Sequence, residues 1–95
     1  MVLSQEEINE NLEDSKGWEQ EDQKIVKSYT LSSFPKALQF VQALGNVAED
    51  RQHHPHMTID HRKVTIKLTT NDEGGLTQKD FESADAYDKL VKKYE

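Results

Sequence analysis

Three of the four histidines in this 95-residue chain stand within four positions, in the run His53-His54-Pro55-His56. An imidazole with its ordinary pKa of about 6.5 both donates and accepts protons near neutral pH, so the cluster is a candidate for acid–base chemistry. The alternative for any one of these histidines is a structural role at a helix end, where polar side chains bond the last carbonyl groups. The fourth histidine, His61, follows a few residues later.

A metal site is the third interpretation of the cluster. Adjacent residues on a helix point about 100° apart, so His53 and His54 do not easily share one ion. The chain has no cysteine and no H-E-x-x-H motif, and we therefore expect no bound metal. Glu49 precedes His53 by four residues, which places both side chains on one helix face, where a carboxylate can orient the ring. The alternative for Glu49 is an ordinary solvated carboxylate.

Residues 69–77, with the sequence Thr-Thr-Asn-Asp-Glu-Gly-Gly-Leu-Thr, form a second candidate segment. Gly74 and Gly75 allow a sharp bend, and a helix beginning at Thr77 presents unpaired N–H groups that can bind an anion or a polar ring edge. No phosphate-loop lysine and serine follow, which argues against a nucleotide site. Asp80 closes a capping box with Thr77, a structural role to which any functional role is additional.

Capping signals and hydrophobic periodicity predict three helices. Ser4 and Glu7 make a capping box for a first helix that runs to about Leu12. A second helix is capped by Ser33 and ends near Gln52, and Thr77 opens a third. The second helix carries the strongest apolar stripe, with Phe40 at its edge; the stripe comprises Ala37, Leu38, Val41, Leu44, Val47 and Ala48.

Four strands are predicted between these helices. Trp18 opens a short strand, alternating residues indicate strands at 24–31 and 63–70, and residues 57–61 are a short extended piece. The order helix-strand-strand-helix-strand-strand-helix predicts an α+β fold, with a four-stranded antiparallel sheet and the helices packed on one face. Trp18, the only tryptophan, is either a core residue or a platform that stacks on a flat heterocycle.

Composition limits the classes of function. The length fits one domain, residues 1–95, and a chain this small is often stabilised by oligomerisation. A net charge of −6 argues against direct binding to nucleic acid, which requires a basic face. No apolar run approaches the roughly 18 residues of a membrane span, and the first residues lack a signal-peptide pattern, so we expect a cytoplasmic protein without membrane contact.

Together these segments resemble the pterin-4a-carbinolamine dehydratase family, also called 4a-hydroxytetrahydrobiopterin dehydratases. The matches run in order along most of the chain: Gly17-Trp18, Phe34 with residues 37–41, Ala48-Glu49 leading to His53-His54-Pro55, Lys63-Val64 with the strand to Thr69-Thr70, and Gly74-Gly75-Leu76-Thr77 with Asp80-Phe81. The resemblance implies the fold predicted above, assembly as homodimers or homotetramers, and no metal or organic cofactor. It also implies dehydration of a 4a-hydroxytetrahydropterin to the quinonoid dihydropterin, in the recycling of the pterin for aromatic amino acid hydroxylases.

The resemblance also implies roles for individual residues. His53 and His54 would serve in proton transfer and substrate orientation, and Glu49 would support the pair. Asp80 would be the family's aspartate beside the pterin. Trp18 would form a wall of the site.

Two positions depart from the family pattern. The family commonly has a third catalytic histidine after the two threonines of the strand, and this chain has Asn71 at that position. Thr70 and Asn71 are further candidate substrate contacts. Asparagine forms hydrogen bonds but does not exchange protons at neutral pH, and losing one acid or base typically costs about 10²–10⁴-fold in rate. His61 stands where the family commonly has tyrosine, and whether His61 or His56 replaces the missing proton carrier is open. The alternative function is a weakened pterin-binding or protein-interaction domain, since some family members are dimerisation partners of a transcription factor.

Overall fold

The three helices and four strands expected from the sequence are all present in the computed structural model, which describes residues 1–95. The antiparallel sheet has the order β1-β2-β4-β3, and the α+β class and the order of elements are confirmed. The helices are α1 (Gln5–Glu13), α2 (Phe34–Arg51) and α3 (Gln78–Val91). The strands are β1 (Glu19–Glu21), β2 (Lys24–Thr30), β3 (His56–Asp60) and β4 (Lys63–Leu68).

Capping boxes begin both α1 and α3. The Ser4 hydroxyl accepts from the Glu7 amide at 3.1 Å, and the Glu7 carboxylate accepts from the Ser4 amide at 2.9 Å. These bonds to Ser4 hold the pKa of Glu7 below its usual value. In α3 the Asp80 carboxylate accepts from the Thr77 amide at 2.9 Å. Each box satisfies amide groups that a helix start leaves without partners, so local sequence sets where these helices begin.

The core lies between the sheet and α2 and α3. Residues of α2 that are buried in this core recur at three- and four-residue spacing: Ala37, Phe40, Leu44 and Ala48. Phe40 has no exposed surface and packs edge-to-face on Tyr29 with the ring centroids 5.2 Å apart, whereas Leu38 is 45% exposed. The prediction that Leu38 belongs to the buried stripe and Phe40 to its edge was therefore wrong. Because the large Phe40 ring is buried, the buried face of α2 is centred closer to Phe40 than to Leu38.

The pairing of β3 with β4 brings the two candidate segments together. His56 pairs with Lys67, so the chain leaving α2 at residues 53–55 meets the end of β4 near residues 69 and 70. The outer face of the sheet is polar, as illustrated by the 2.8 Å contact between the Ser28 and Thr65 hydroxyls. None of the helices has the length and apolar character needed to cross a membrane.

Candidate functional site

The end of α2 determines where the histidine pair lies. Gln52 caps the helix with a φ of 52°, in the left-handed region, and the His53 amide donates to the Ala48 carbonyl at 3.1 Å. This bond closes the last helical turn, and Pro55 prevents further helix by disfavouring helical geometry at His54. The chain therefore turns sharply at Gln52, directly before His53 and His54.

His53 is directed inward to α3. Its Nε2 atom lies 2.6 Å from Oδ1 of Asp80, and the side chain of His53 is only 12% exposed. Asp80 has no exposed surface, although it is a carboxylate. A buried carboxylate is tolerated only when hydrogen bonds compensate for the lost water, and Asp80 has several.

Three donors surround the Asp80 carboxylate. Oδ2 accepts from the Thr70 hydroxyl and from the Thr77 amide, each at 2.9 Å, while Oδ1 faces His53. The Thr70 hydroxyl is 2.8 Å from the Thr77 hydroxyl, which itself accepts from the Lys79 amide. Because an ionised carboxylate only accepts, Thr70 donates to Asp80 and Thr77 donates to Thr70.

The same reasoning fixes the tautomer of the neutral His53 ring. Its Nε2 must carry the proton that is donated to Asp80, which leaves an electron pair on Nδ1. Nδ1 has no hydrogen-bond partner within the chain, and the His53 side chain lines a cavity. The arrangement therefore presents one oriented proton acceptor next to that cavity.

A short loop forms the other side of the cavity. Thr70 and Gly75 bond to each other through both of their amides and carbonyls, at 3.1 and 3.3 Å, and so close a tight loop that contains a single turn of 3₁₀ helix. Gly74 has a φ of 78°, a left-handed conformation that favours glycine. Asn71 opens this loop and is exposed. Because Asn71 directly follows Thr70, it lies next to the Thr70–Asp80 contact, and its side chain is exposed to solvent.

His54 has a different environment from His53. Its Nε2 atom lies 2.8 Å from Oε1 of Glu49, and the two side chains are 62% and 72% exposed. Glu49 therefore contacts His54 and not His53, the ring that the four-residue spacing led us to expect, because His53 lies beyond the end of α2 and is directed toward Asp80. An exposed ion pair of this kind contributes little to stability, so the effect of Glu49 is mainly on the orientation of the ring.

The cavity beside the pair has a volume of about 190 Å³ and a wholly polar lining. The lining residues are Gln52, His53, His54, Thr69, Thr70, Asn71, Asp72 and Lys79. Of the residues predicted for the site, His53, His54, Thr70 and Asn71 line it, and Asp80 bonds to two of these from beneath. Sequence reasoning assigned no individual site role to the other four lining residues, Gln52, Thr69, Asp72 and Lys79. The one feature of the sequence that could have indicated them is their position, because each is adjacent in the chain to a predicted site residue.

Trp18 is not part of this cavity. It is buried in the core, and its indole N–H donates to Asp88 Oδ2 at 3.1 Å. The other oxygen of Asp88 accepts from Lys27 at 2.7 Å and from the Tyr29 hydroxyl, and burial and then this bond raise the pKa of Tyr29. The predicted role of Trp18 as a wall of the site is therefore corrected: it anchors the later part of α3 to the sheet.

His56 and His61 do not reach the cavity either. His56 pairs with Lys67, whose neighbours Ile66 and Leu68 are buried, so His56 lies on the face of the sheet opposite the helices. His61 is in the β3–β4 turn, 94% exposed, with Nδ1 2.9 Å from Asp60. The length of β3, about 13 Å, separates this turn from the residues around His53. Within one chain, neither imidazole is close enough to the cavity to take the place of the missing proton carrier.

Comparison with known proteins adds a family to this geometry. The sequence profile of the family described as pterin 4 alpha carbinolamine dehydratase matches residues 1–90. A protein of Roseiflexus sp. (strain RS-1), provisionally named pterin-4-alpha-carbinolamine dehydratase, is 47% identical over 89 residues, which cover 94% of this chain and 96% of that protein. A protein of Herpetosiphon aurantiacus with the same provisional name is 43% identical over 89 residues, covering 94% of this chain and 93% of its own.

Two solved structures have the same fold. A Brucella melitensis protein, described as a transcriptional coactivator/pterin dehydratase, superposes with a TM-score of 0.91 at 28% identity, covering 96% of this chain and 99% of its own. A pterin dehydratase-like protein, described as a RuBisCO assembly factor in the alpha-carboxysome, superposes with a TM-score of 0.65 at 20% identity, covering 78% and 86%. The second likeness concerns the fold alone.

Proposed function

The chain belongs to the pterin-4a-carbinolamine dehydratase family, and we propose that it removes water from a 4a-hydroxytetrahydropterin to give the quinonoid dihydropterin. The observation that carries the proposal is the contact between His53 and the buried Asp80, beside a polar cavity. The reaction would serve pterin recycling in the cytoplasm and would require no metal or organic cofactor.

The reaction needs two proton transfers. A base removes the proton on N5 of the substrate, and the electron pair of that bond forms the double bond between N5 and C4a. The bond between C4a and the hydroxyl oxygen breaks as an acid protonates the oxygen, which leaves as water. The reaction is a dehydration without net oxidation or reduction, so it needs two positioned proton carriers and no redox partner.

The different environments of the two histidines support different roles. His53, with its proton donated to Asp80 and an electron pair on Nδ1, suits the base that takes the N5 proton. His54 is exposed and so exchanges protons readily with water, which suits the acid. Glu49 orients His54, and Thr70 keeps the Asp80 carboxylate aligned. Asn71 would hydrogen-bond the bound pterin without taking part in proton transfer.

A second candidate function follows from Asn71. It lines the cavity at the position where the family commonly has a third histidine, so the chain has one proton carrier fewer. A pterin-binding protein with little turnover, acting through contacts with another protein, would need the cavity but not the missing imidazole. The description of the Brucella melitensis relative as a coactivator as well as a dehydratase is compatible with this alternative.

Turnover of freshly generated 4a-hydroxytetrahydropterin tests the proposal. The purified wild-type protein, Asn71→His and His53→Ala are compared with the spontaneous rate. The dehydratase proposal expects turnover by the wild type that His53→Ala loses by about 10²–10⁴-fold. A wild type at the spontaneous rate, with turnover restored in Asn71→His, would contradict the proposal and favour the pterin-binding alternative.

The proposal includes self-association as a homodimer or homotetramer. Phe34 and Leu38 on α2 are 51% and 45% exposed, an apolar surface that a second copy can cover. Light scattering on a size-exclusion column measures the assembly, and Leu38→Lys is expected to weaken it. A monomer at all concentrations would contradict this part of the proposal and leave the chemistry to be judged by turnover.

A further inference from the structure

Arg51, the last residue of α2, makes a contact that the proposed chemistry does not use. Its Nε donates to the Ser83 hydroxyl at 3.1 Å, and its Nη2 lies 3.4 Å from Oε1 of Glu82. Ser83 has no exposed surface, whereas the Arg51 side chain is 33% exposed. The guanidinium therefore bonds inward to α3 with one nitrogen and outward to a surface carboxylate with another.

This contact runs beside the contact between His53 and Asp80. Ser83 is one helical turn after Asp80 on α3, and both face α2 without exposed surface. Arg51 and His53 flank Gln52, whose left-handed φ of 52° is unfavourable for a residue other than glycine. Such a conformation persists only where the surroundings hold it. The backbone bonds that end α2 hold it locally, and the two flanking contacts tie the residues on either side of Gln52 to α3.

We propose that Arg51, acting through Ser83, is a positioning residue that holds the end of α2 so that His53 Nε2 meets Asp80. The consequence for turnover rests on the function proposed above. The consequence for the His53 ring does not, because the hydrogen bond to Asp80 selects the tautomer with the proton on Nε2 whether or not a pterin is turned over.

Ring ¹⁵N NMR of His53 tests the proposal directly. The variants are Arg51→Met, which keeps the stem of the side chain, and Ser83→Ala, which keeps the positive charge at the end of α2. Both are expected to raise the fraction of His53 that carries its proton on Nδ1. The double variant should show no further change, because the two residues act through one contact. Glu82→Gln, which removes only the exposed partner, is the matched control and should give the wild-type spectrum.

Steady-state kinetics provides the second readout. A loss of alignment lowers kcat more than it alters KM, because the oriented base matters in the transition state. Misplacement by about 1 Å can cost about 100-fold, so a partial loss of alignment is expected to lower kcat by about tenfold in Arg51→Met and Ser83→Ala. Urea unfolding of both variants identifies any general loss of structure.

The outcomes separate the two proposals. Unchanged His53 ring shifts in folded Arg51→Met and Ser83→Ala would overturn the positioning role. A change in Arg51→Met alone would also overturn it, because it would assign the effect to the charge at the helix end. A wild type without turnover would refute the proposed function, while the tautomer comparison would still decide the role of Arg51.

Discussion

The Nε2 atom of His53 lies 2.6 Å from Oδ1 of Asp80, a carboxylate that has no exposed surface and also caps the helix on which it stands. One side chain thus connects the start of α3, Thr70 just beyond β4, and His53 just beyond the end of α2. Because these three elements meet at one carboxylate, the cap of α3 and the orientation of the imidazole depend on each other.

Asp80→Asn is expected to lower turnover by about 100-fold or more while the protein still folds. The amide oxygen can still accept from Thr77, but the amide nitrogen donates, so the His53 ring no longer has to carry its proton on Nε2. Stability should fall by about 1–3 kcal/mol with the loss of charge-assisted bonds. Steady-state turnover and urea unfolding measure the two effects.

Glu7→Gln is the matched control for that substitution. Glu7 occupies the same capping-box position in α1, is exposed, and contacts no histidine. It should lose some stability and keep wild-type turnover. Equal turnover losses in the two variants would mean that capping, and not the contact with His53, explains the effect of Asp80.

Glu49→Gln is expected to have a much smaller effect than any change at Asp80. The contact of Glu49 with His54 joins two exposed side chains, and such pairs contribute about 0–1 kcal/mol. Turnover should fall by less than about tenfold, and the loss should shrink in high salt, which screens exposed charges. A loss as large as that of Asp80→Asn would contradict the assignment of His53 as the oriented base.

The sequence was sufficient for those parts of the fold that local chemistry determines. Capping boxes predicted the starts of α1 and α3, Pro55 predicted the end of α2, and alternation predicted β2 and β4. Asp80 was recognised both as a cap and, through the resemblance, as a candidate site residue. These signals depend on neighbours within four residues, which a single sequence displays.

The errors came from contacts between residues distant in the chain. Trp18 and Asp88 are 70 residues apart, and no local pattern indicates that an indole N–H needs this carboxylate. The burial of Phe40 likewise depends on the Tyr29 ring across the core. The choice between stacking platform and core residue for Trp18 was therefore a question of tertiary packing, and resemblance to a family gave the wrong answer for it.

His61→Asn is expected to leave turnover within about twofold of the wild type. His61 lies in the β3–β4 turn with a φ of 56°, a conformation that asparagine tolerates well. The imidazole is about 13 Å of strand away from the site, too far for direct proton transfer. Parallel turnover assays of both proteins check this, and a large loss would show that His61 acts as the missing proton carrier, for instance in a second copy.

The hydroxyl of Tyr87 contributes, together with that of Tyr29, to the loss of stability at alkaline pH. The Tyr87 hydroxyl is buried, and no partner meets hydrogen-bond geometry, although the Ser83 hydroxyl is nearby. Burial raises the pKa of Tyr87 from 10.0 to about 12, against the smaller opposing effects of the Arg51 charge and the Ser83 hydroxyl. The unfolded chain therefore ionises this phenol first, and stability is fully present below about pH 10 and declines as the pH rises toward 12.

Tyr87→Phe should consequently flatten part of that decline. Between pH 9 and 11.5 the advantage of the variant over the wild type is expected to grow by about 1–3 kcal/mol, since one unit of pKa corresponds to about 1.4 kcal/mol. Below pH 9 the variant should be at least as stable, because an unpartnered buried hydroxyl is removed. Urea unfolding of the variant and the wild type at matched pH values across this range measures it. Stability curves of Tyr87→Phe and wild type that remain parallel throughout would show that Tyr87 ionises equally in the folded and unfolded chain.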